Sequence, residues 1–133
     1  MIDRDNGTDW DAYSMACADD TPGPALPLAQ IFSKLEIPFI ILSGRSECAR
    51  LLTQGWLNSN GVHPWAIYLG DERHATMEHA EWKAMKAREI QRDLGVKISL
   101  HIEDHSSVAL AMADIGIKTM LVHDVNKLSE LLA

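Results

Sequence analysis

Pro38-Phe39-Ile40-Ile41-Leu42-Ser43-Gly44-Arg45-Ser46 is the stretch that decides the fold. An unbroken apolar run after a proline reads as a strand buried on both faces, as in a parallel sheet. The strand ends in the Ser43 hydroxyl, Gly44 lets the backbone turn, and Ser46 is placed to cap a helix over about 46–59. Free amides at a helix start can hold an anion, and here the Ser43 hydroxyl and the Arg45 guanidinium would add to them. The same segment also reads as a capped strand–turn–helix with no ligand.

The pattern continues on both sides of this stretch. Before it, Leu26, Leu28, Ile31, Phe32 and Leu35 follow helical spacing. After it, Ala49, Leu52, Trp56 and Leu57 give the next helix an apolar face, and Asn60-Gly61 stops it. A second strand is predicted over 65–69, a polar loop over 70–76, and a long helix over 77–94 that ends at Gly95. A third strand over 96–102 precedes a helix from Ser106 or Ser107 to about Ile115, ended by Gly116. A fourth strand over 119–122 leads to a last helix, capped by Asp124 and running to Leu132. This alternation predicts an α/β fold, a Rossmann-like three-layer parallel sheet with helices on both faces. Residues 1–23 are rich in Asp and end in Thr21-Pro22-Gly23-Pro24. They read as an irregular N-terminal arm or cap, with a short helix around 9–16, on a core of 24–133 within one domain.

Composition narrows the function classes. The chain has 133 residues, 47% hydrophobic and 23% charged, which suits one soluble domain. No apolar run approaches the roughly 20 residues that span a bilayer. No membrane partner and a cytoplasmic address are therefore expected. A formal charge of −7 disfavours general nucleic-acid binding but permits a local anion site. Cys17 and Cys48 form no CxxC pair and read as ordinary thiols.

Ligands of open parallel sheets bind outside the carboxyl ends of the strands. Ser43, the Glu103-Asp104 pair and Asp124 fall at such ends. Paired carboxylates suit a hard cation such as magnesium, or merely a solvated capping loop. Lys83 and Lys86 lie in the long helix, where lysines are ordinarily solvated. His74 and His79 are close in sequence but match no metal-binding pattern, so no histidine metal site is expected.

A strand ending in Leu-Ser-Gly-Arg, then a helical lysine, then a strand ending in two acids resembles the haloacid dehalogenase superfamily. The likeness is to the small bacterial and phage group similar to the phosphatase domain of polynucleotide kinase. It runs from about Asp9 to Val125 and includes the Asp9-Trp10-Asp11-Ala12-Tyr13 stretch. The resemblance implies that Ser43 holds a phosphoryl group and that Lys83, with Lys86 as fallback, neutralises it. It also implies that Asp104 and Glu103 bind magnesium.

The family's first motif, Asp-x-Asp-x-Thr at the end of a central strand, supplies the nucleophile. Asp3-Arg4-Asp5-Asn6-Gly7-Thr8 comes nearest, but its Thr is one position out of register and only Met1 and Ile2 precede it. No catalytic residue is assigned on this reading, and Asp3 and Asp5 are the weak candidates. Without a carboxylate nucleophile the covalent step has no acceptor. The resemblance places the 9–13 stretch after that motif, so the usual first central strand should be missing. The Ser43 strand and the Glu103 strand should then pair directly, or another chain should supply a strand, making a homo-oligomer.

Three functions follow as expectations. The first is a non-catalytic domain that binds, and sequesters, a phosphorylated small molecule. A nucleotide is the natural ligand, and an immune-signal nucleotide if the chain is phage-encoded. It requires no cofactor, though magnesium fits. Trp10, Tyr13, Trp56, Trp65 and Tyr68 include candidate base-stacking partners, but each also reads as a core or cap residue. The second is a magnesium-dependent phosphatase acting on nucleotide or polynucleotide phosphates. The third is a ligand-free protein-interaction module.

Overall fold

The computed structural model describes residues 26–122 and, as backbone, residues 10–15. The elements are β1 (Trp10–Met15), α1 (Leu26–Lys34), β2 (Phe39–Ser46), α2 (Arg50–Ser59), β3 (Ala66–Gly70), α3 (His79–Leu94), β4 (Val96–Glu103), α4 (Ser106–Asp114) and β5 (Thr119–Leu121). Short 3-10 turns at Glu47–Ala49 and Glu72–Ala75 precede α2 and α3. The predicted helix over 124–132 lies outside the described residues.

The strands form one five-stranded sheet in the order β3-β2-β1-β4-β5, with every pairing parallel. This is the expected α/β architecture. Alternate residues of β2 serve opposite faces, as strand geometry requires. Ile40 and Leu42 join Trp82, Ala87, Ile90, Val108 and Met112, so α3 and α4 cover one face. Phe39 and Ile41 join Ala29, Leu57 and Val62, so α1 and α2 cover the other. The helix stops are glycines in the left-handed region: Gly61 at φ 69°, Gly95 at 64° and Gly116 at 81°.

The sheet centre departs from expectation. Trp10–Met15 is a strand rather than part of an irregular arm or a short helix, and it lies between β2 and β4. Met15 sits level with Ile41 on one side and Ile102 on the other. Direct pairing of β2 with β4 therefore does not occur, and no second chain is needed to fill the gap. The physical reason is the ladder: two buried strand edges leave amides and carbonyls that must find partners, and this segment supplies them. The sheet's central strand thus comes from within the 1–23 segment.

Two irregularities in the ladders place the site. Between β2 and β3 the register runs Leu42↔Tyr68, then Ser46↔Gly70, so Ser43–Arg45 bulge out of the ladder. Between β1 and β4 it runs Ala12↔Ile98, then Tyr13↔Leu100, leaving Ser99 as an extra residue. That extra residue inverts the alternation of β4. Ile98 packs with the α3–α4 cluster, whereas Leu100 and Ile102 pack on the α1–α2 side. His101 and Glu103 are thereby turned toward α3, where Glu103 meets Lys83.

Candidate functional site

The strand order reverses between β1 and β4, and a crevice for ligands is expected at the carboxyl ends beside such a switch. Ser43 at the end of β2 and Glu103-Asp104 at the end of β4 flank the end of β1. Ser43 is buried and its Oγ accepts from the Arg45 amide at 3.2 Å, which fixes the bulge. Gly44 and Arg45 are half-buried. Ser46 caps the following turn, its hydroxyl oxygen accepting from the Cys48 amide at 3.4 Å. The helical start expected at 46 is thus a 3-10 turn, and α2 proper begins at Arg50.

Lys83 is not solvated. It lies on the buried stripe of α3 with Ala80, Ala84, Ala87 and Ile90, and only 3% of it is exposed. Its Nζ donates to Glu103 Oε1 at 2.9 Å. The same oxygen lies 2.9 Å from His101 Nε2, and against a carboxylate that nitrogen must carry the proton. Glu103 Oε2 accepts from the Asp104 amide at 3.2 Å. Burial works against ionising Glu103. The hydrogen bond from His101 and the charge and hydrogen bond of Lys83 nevertheless hold its carboxyl well below the usual range.

Glu103 and Asp104, the expected magnesium ligands, do come together: a ligand atom of each lies with one of His105 in a group no wider than 4.8 Å. Both Glu103 oxygens also accept hydrogen bonds, and Asp104 is the more open carboxylate of the two. Lys86 turns elsewhere: its Nζ is 3.5 Å from Asp71 and 5.9 Å from the Tyr68 ring centroid. Asp71 also accepts from Arg73 at 2.7 Å and from Trp82 Nε1 at 3.0 Å, tying the end of β3 to α3. Asp3 and Asp5 lie outside the described residues, and β1 begins at the end of the sheet away from Ser43.

His74 and His79, close in sequence but matching no metal-binding pattern, stand over the bulge. His74 Nε2 and His79 Nδ1 are 3.0 Å apart and form a hydrogen bond. A Cβ on Gly44 would lie 2.6 Å from His74 Nε2 and 2.9 Å from His79 Cε1, so only glycine leaves room for the pair. His74 packs edge-on to the buried Trp82 with ring centroids 4.8 Å apart. His79 faces His105 at 6.4 Å between centroids. Burial, then Lys83, His74 and His105, push the His79 imidazole below its ordinary range, against a smaller opposite pull from Glu103. His74 and His79 are five positions apart, a spacing that puts them on different faces of one helix. They meet because a turn intervenes, which no sequence periodicity shows.

The candidate stacking residues have other roles where they are described. Trp56 packs on the α1–α2 cluster, and Trp65 and Tyr68 on the other. Trp10 and Tyr13 have no described side chains. Among the described residues, no helix is long and apolar enough to cross a membrane.

No protein-family model and no curated protein matches the chain. Solved structures do. One is the core domain of a protein named as a phosphoglycolate phosphatase from Streptococcus pneumoniae TIGR4. The match has 10% identity and a TM-score of 0.59, and covers 94% of this chain and 96% of that one. Another is a chain of the Pnkp1/Rnl/Hen1 complex, at 12% identity and a TM-score of 0.66. That match covers 86% of this chain but 46% of the other, so this chain spans under half of its length. Both neighbours agree with the resemblance carried by the Ser43, Lys83 and Asp104 segments, and with them the parallel sheet is shown to be the haloacid dehalogenase-like fold.

Proposed function

We propose that this chain binds a phosphorylated small molecule, of which a nucleotide is the best candidate, at the carboxyl end of its sheet and retains it without turnover. The observation that carries the reading is the Ser43–Arg45 bulge, which sets a buried hydroxyl, a glycine and a guanidinium at the end of β2. Lys83 and Asp104 lie across the same end of the sheet, on α3 and after β4. Bulges commonly re-aim side chains beside binding sites. Retention without turnover is the part of the reading supported by the sequence alone, which contains no Asp-x-Asp-x-Thr. The sequestered ligand would be an immune-signal nucleotide if the chain is phage-encoded.

The test is a panel of mono-, di- and cyclic nucleotides, incubated with the pure protein with and without magnesium. The mixture is separated by chromatography before and after heat denaturation. A nucleotide that leaves solution and returns unchanged on heating supports the reading. Release of phosphate from any of these compounds would make the chain a phosphatase. No depletion of any phosphorylated compound would favour a protein-interaction role.

A further inference from the structure

We infer that the site takes a phosphodiester, with one negative charge per phosphate, in preference to a terminal phosphomonoester, and that the His74–His79 pair supplies it with a hydrogen-bond donor. The inference rests on the reading of this end of the sheet as a phosphate site and narrows its ligand class. A phosphomonoester carries close to two negative charges above neutral pH, and clustered Arg or Lys ordinarily recognise such a group. Here the cations at the carboxyl end of the sheet are matched by acids. Lys83 Nζ is held at 2.9 Å by Glu103, with both side chains buried. Arg45 in the β2 bulge is balanced in number by Asp104 after β4. Toward the β3 side, Glu47 pairs with Arg50, Arg73 lies 2.7 Å from Asp71 and 2.6 Å from Glu89, and Lys86 lies 3.5 Å from Asp71. Glu72 and Glu78, in the stretch between β3 and α3, add further acid. Residues 16–25, which follow β1 in the chain, contain Asp19 and Asp20 and no lysine or arginine. The described residues around the site therefore offer a dianion no excess of positive charge.

What the site does offer is neutral polarity. His74 Nε2 and His79 Nδ1 are 3.0 Å apart, and a hydrogen bond between two ring nitrogens needs one of them without a proton. The two imidazoles are therefore not both charged. They stand directly over the bulge, since a Cβ on Gly44 would lie 2.6 Å from His74 Nε2 and 2.9 Å from His79 Cε1. His74 is wedged against Trp82 and acts as a positioning residue. With His79 Nδ1 accepting from His74, His79 Nε2 carries the ring proton and is a neutral donor. The ring that carries it lies between the β2 bulge and His105, which it faces at 6.4 Å between centroids. Burial, then Lys83, His74 and His105, turn His79 toward its neutral form, against a smaller pull from Glu103. Neutral donors can replace the water around a single spread charge. The second charge of a monoester would be desolvated here without a cation to meet it.

The test is calorimetry in the presence of a chelator at about pH 8, where a monoester is a full dianion. The probes are the cyclic monophosphate, the open-chain monophosphate and the dinucleoside monophosphate of each ribonucleoside. The first and third are diesters of different shape, which separates charge from shape. A diester is expected to bind at least about tenfold more tightly than the monoester of the same nucleoside. Asp104→Asn removes one negative charge and should raise both affinities. The logarithm of the gain should be about twice as large for the monoester, because Coulomb energy scales with ligand charge. His79→Ala should weaken the diester about tenfold, and His79→Gln, which keeps a neutral donor, should lose less. Circular dichroism checks the fold of each variant, and the unsubstituted protein and Asp104→Asn decide the charge argument even where His79→Ala does not fold. A monoester bound as tightly as the diester would overturn the inference and leave the phosphate reading standing. So would diester binding unmoved by His79→Ala, or binding of these probes only when magnesium is added. Binding of none of them, with or without magnesium, would remove the phosphate reading itself and the inference with it.

Discussion

Lys83 holds the site together before it meets any ligand. Its ammonium and the Glu103 carboxylate are both buried, and removing one partner leaves the other charge uncompensated. Lys83→Met should cost about 3–5 kcal/mol by urea denaturation, and adding Glu103→Gln should restore much of it. A single-variant loss under about 1 kcal/mol would place the pair in water, against the burial seen here. A consequence is that loss of ligand binding in a Lys83 variant has two causes, whereas Ser43→Ala and Arg45→Ala test the site more cleanly. Acid should act through the same pair. The Glu103 carboxyl is depressed in the folded state, so its contribution is full above the ordinary value of 4.5 and is lost as pH falls below it. Glu103→Gln should flatten the acid limb of a stability-against-pH curve below that point. An unchanged limb would contradict the pairing.

Part of this was legible in the residues. Lys83 falls in register with Ala80, Ala84, Ala87 and Ile90, a signal of an inward-facing lysine that the expectation of a solvated one passed over. His101 and Glu103 are two apart on a strand and so share a face. The Ser43-Gly44-Arg45 turn was read directly as a strand end. The engagement of both Glu103 oxygens was not legible, because it depends on Ser99 being an extra residue in β4.

At the scale of elements, the approach of β3 to the bulge of β2 is tight. A Cβ on Gly70 would stand 2.7 Å from the Gly44 carbonyl oxygen and 3.1 Å from that of Arg45, and neither is a flexible side-chain end. Gly70→Ala should therefore destabilise the chain by about 1–3 kcal/mol and disturb the bulge. Gly55, within α2, meets nothing within 4 Å, so Gly55→Ala should stabilise it by about 0.5–1 kcal/mol. Thermal unfolding of the two variants, moving in opposite directions, checks both. Most helices and strands were legible from periodicity and from Gly61, Gly95 and Gly116, with most ends shifted by a residue or two and the start of α2 by four. Trp10–Met15 was not. Its Asp-rich surroundings read as loop, and only the need to pair β2 and β4 makes a strand of it.

For the whole molecule, the argument for a homo-oligomer rested on an empty sheet centre and loses that premise with β1 in place. A chain of formal charge −7 that holds a phosphorylated ligand must do so through local groups. Binding should therefore fall with Arg45→Ala more than with a change at Lys86, which is drawn to Asp71. The most direct measurement is the amide nuclear magnetic resonance spectrum of the labelled protein during titration with the nucleotide that the panel selects. The largest shifts should fall on Ser43 to Ser46 and on Asp104 and His105, and should vanish in the Ser43→Ala variant. Shifts gathered instead in the groove between α3 and α4, around Arg88 and Ile115, would put the ligand elsewhere and contradict the account.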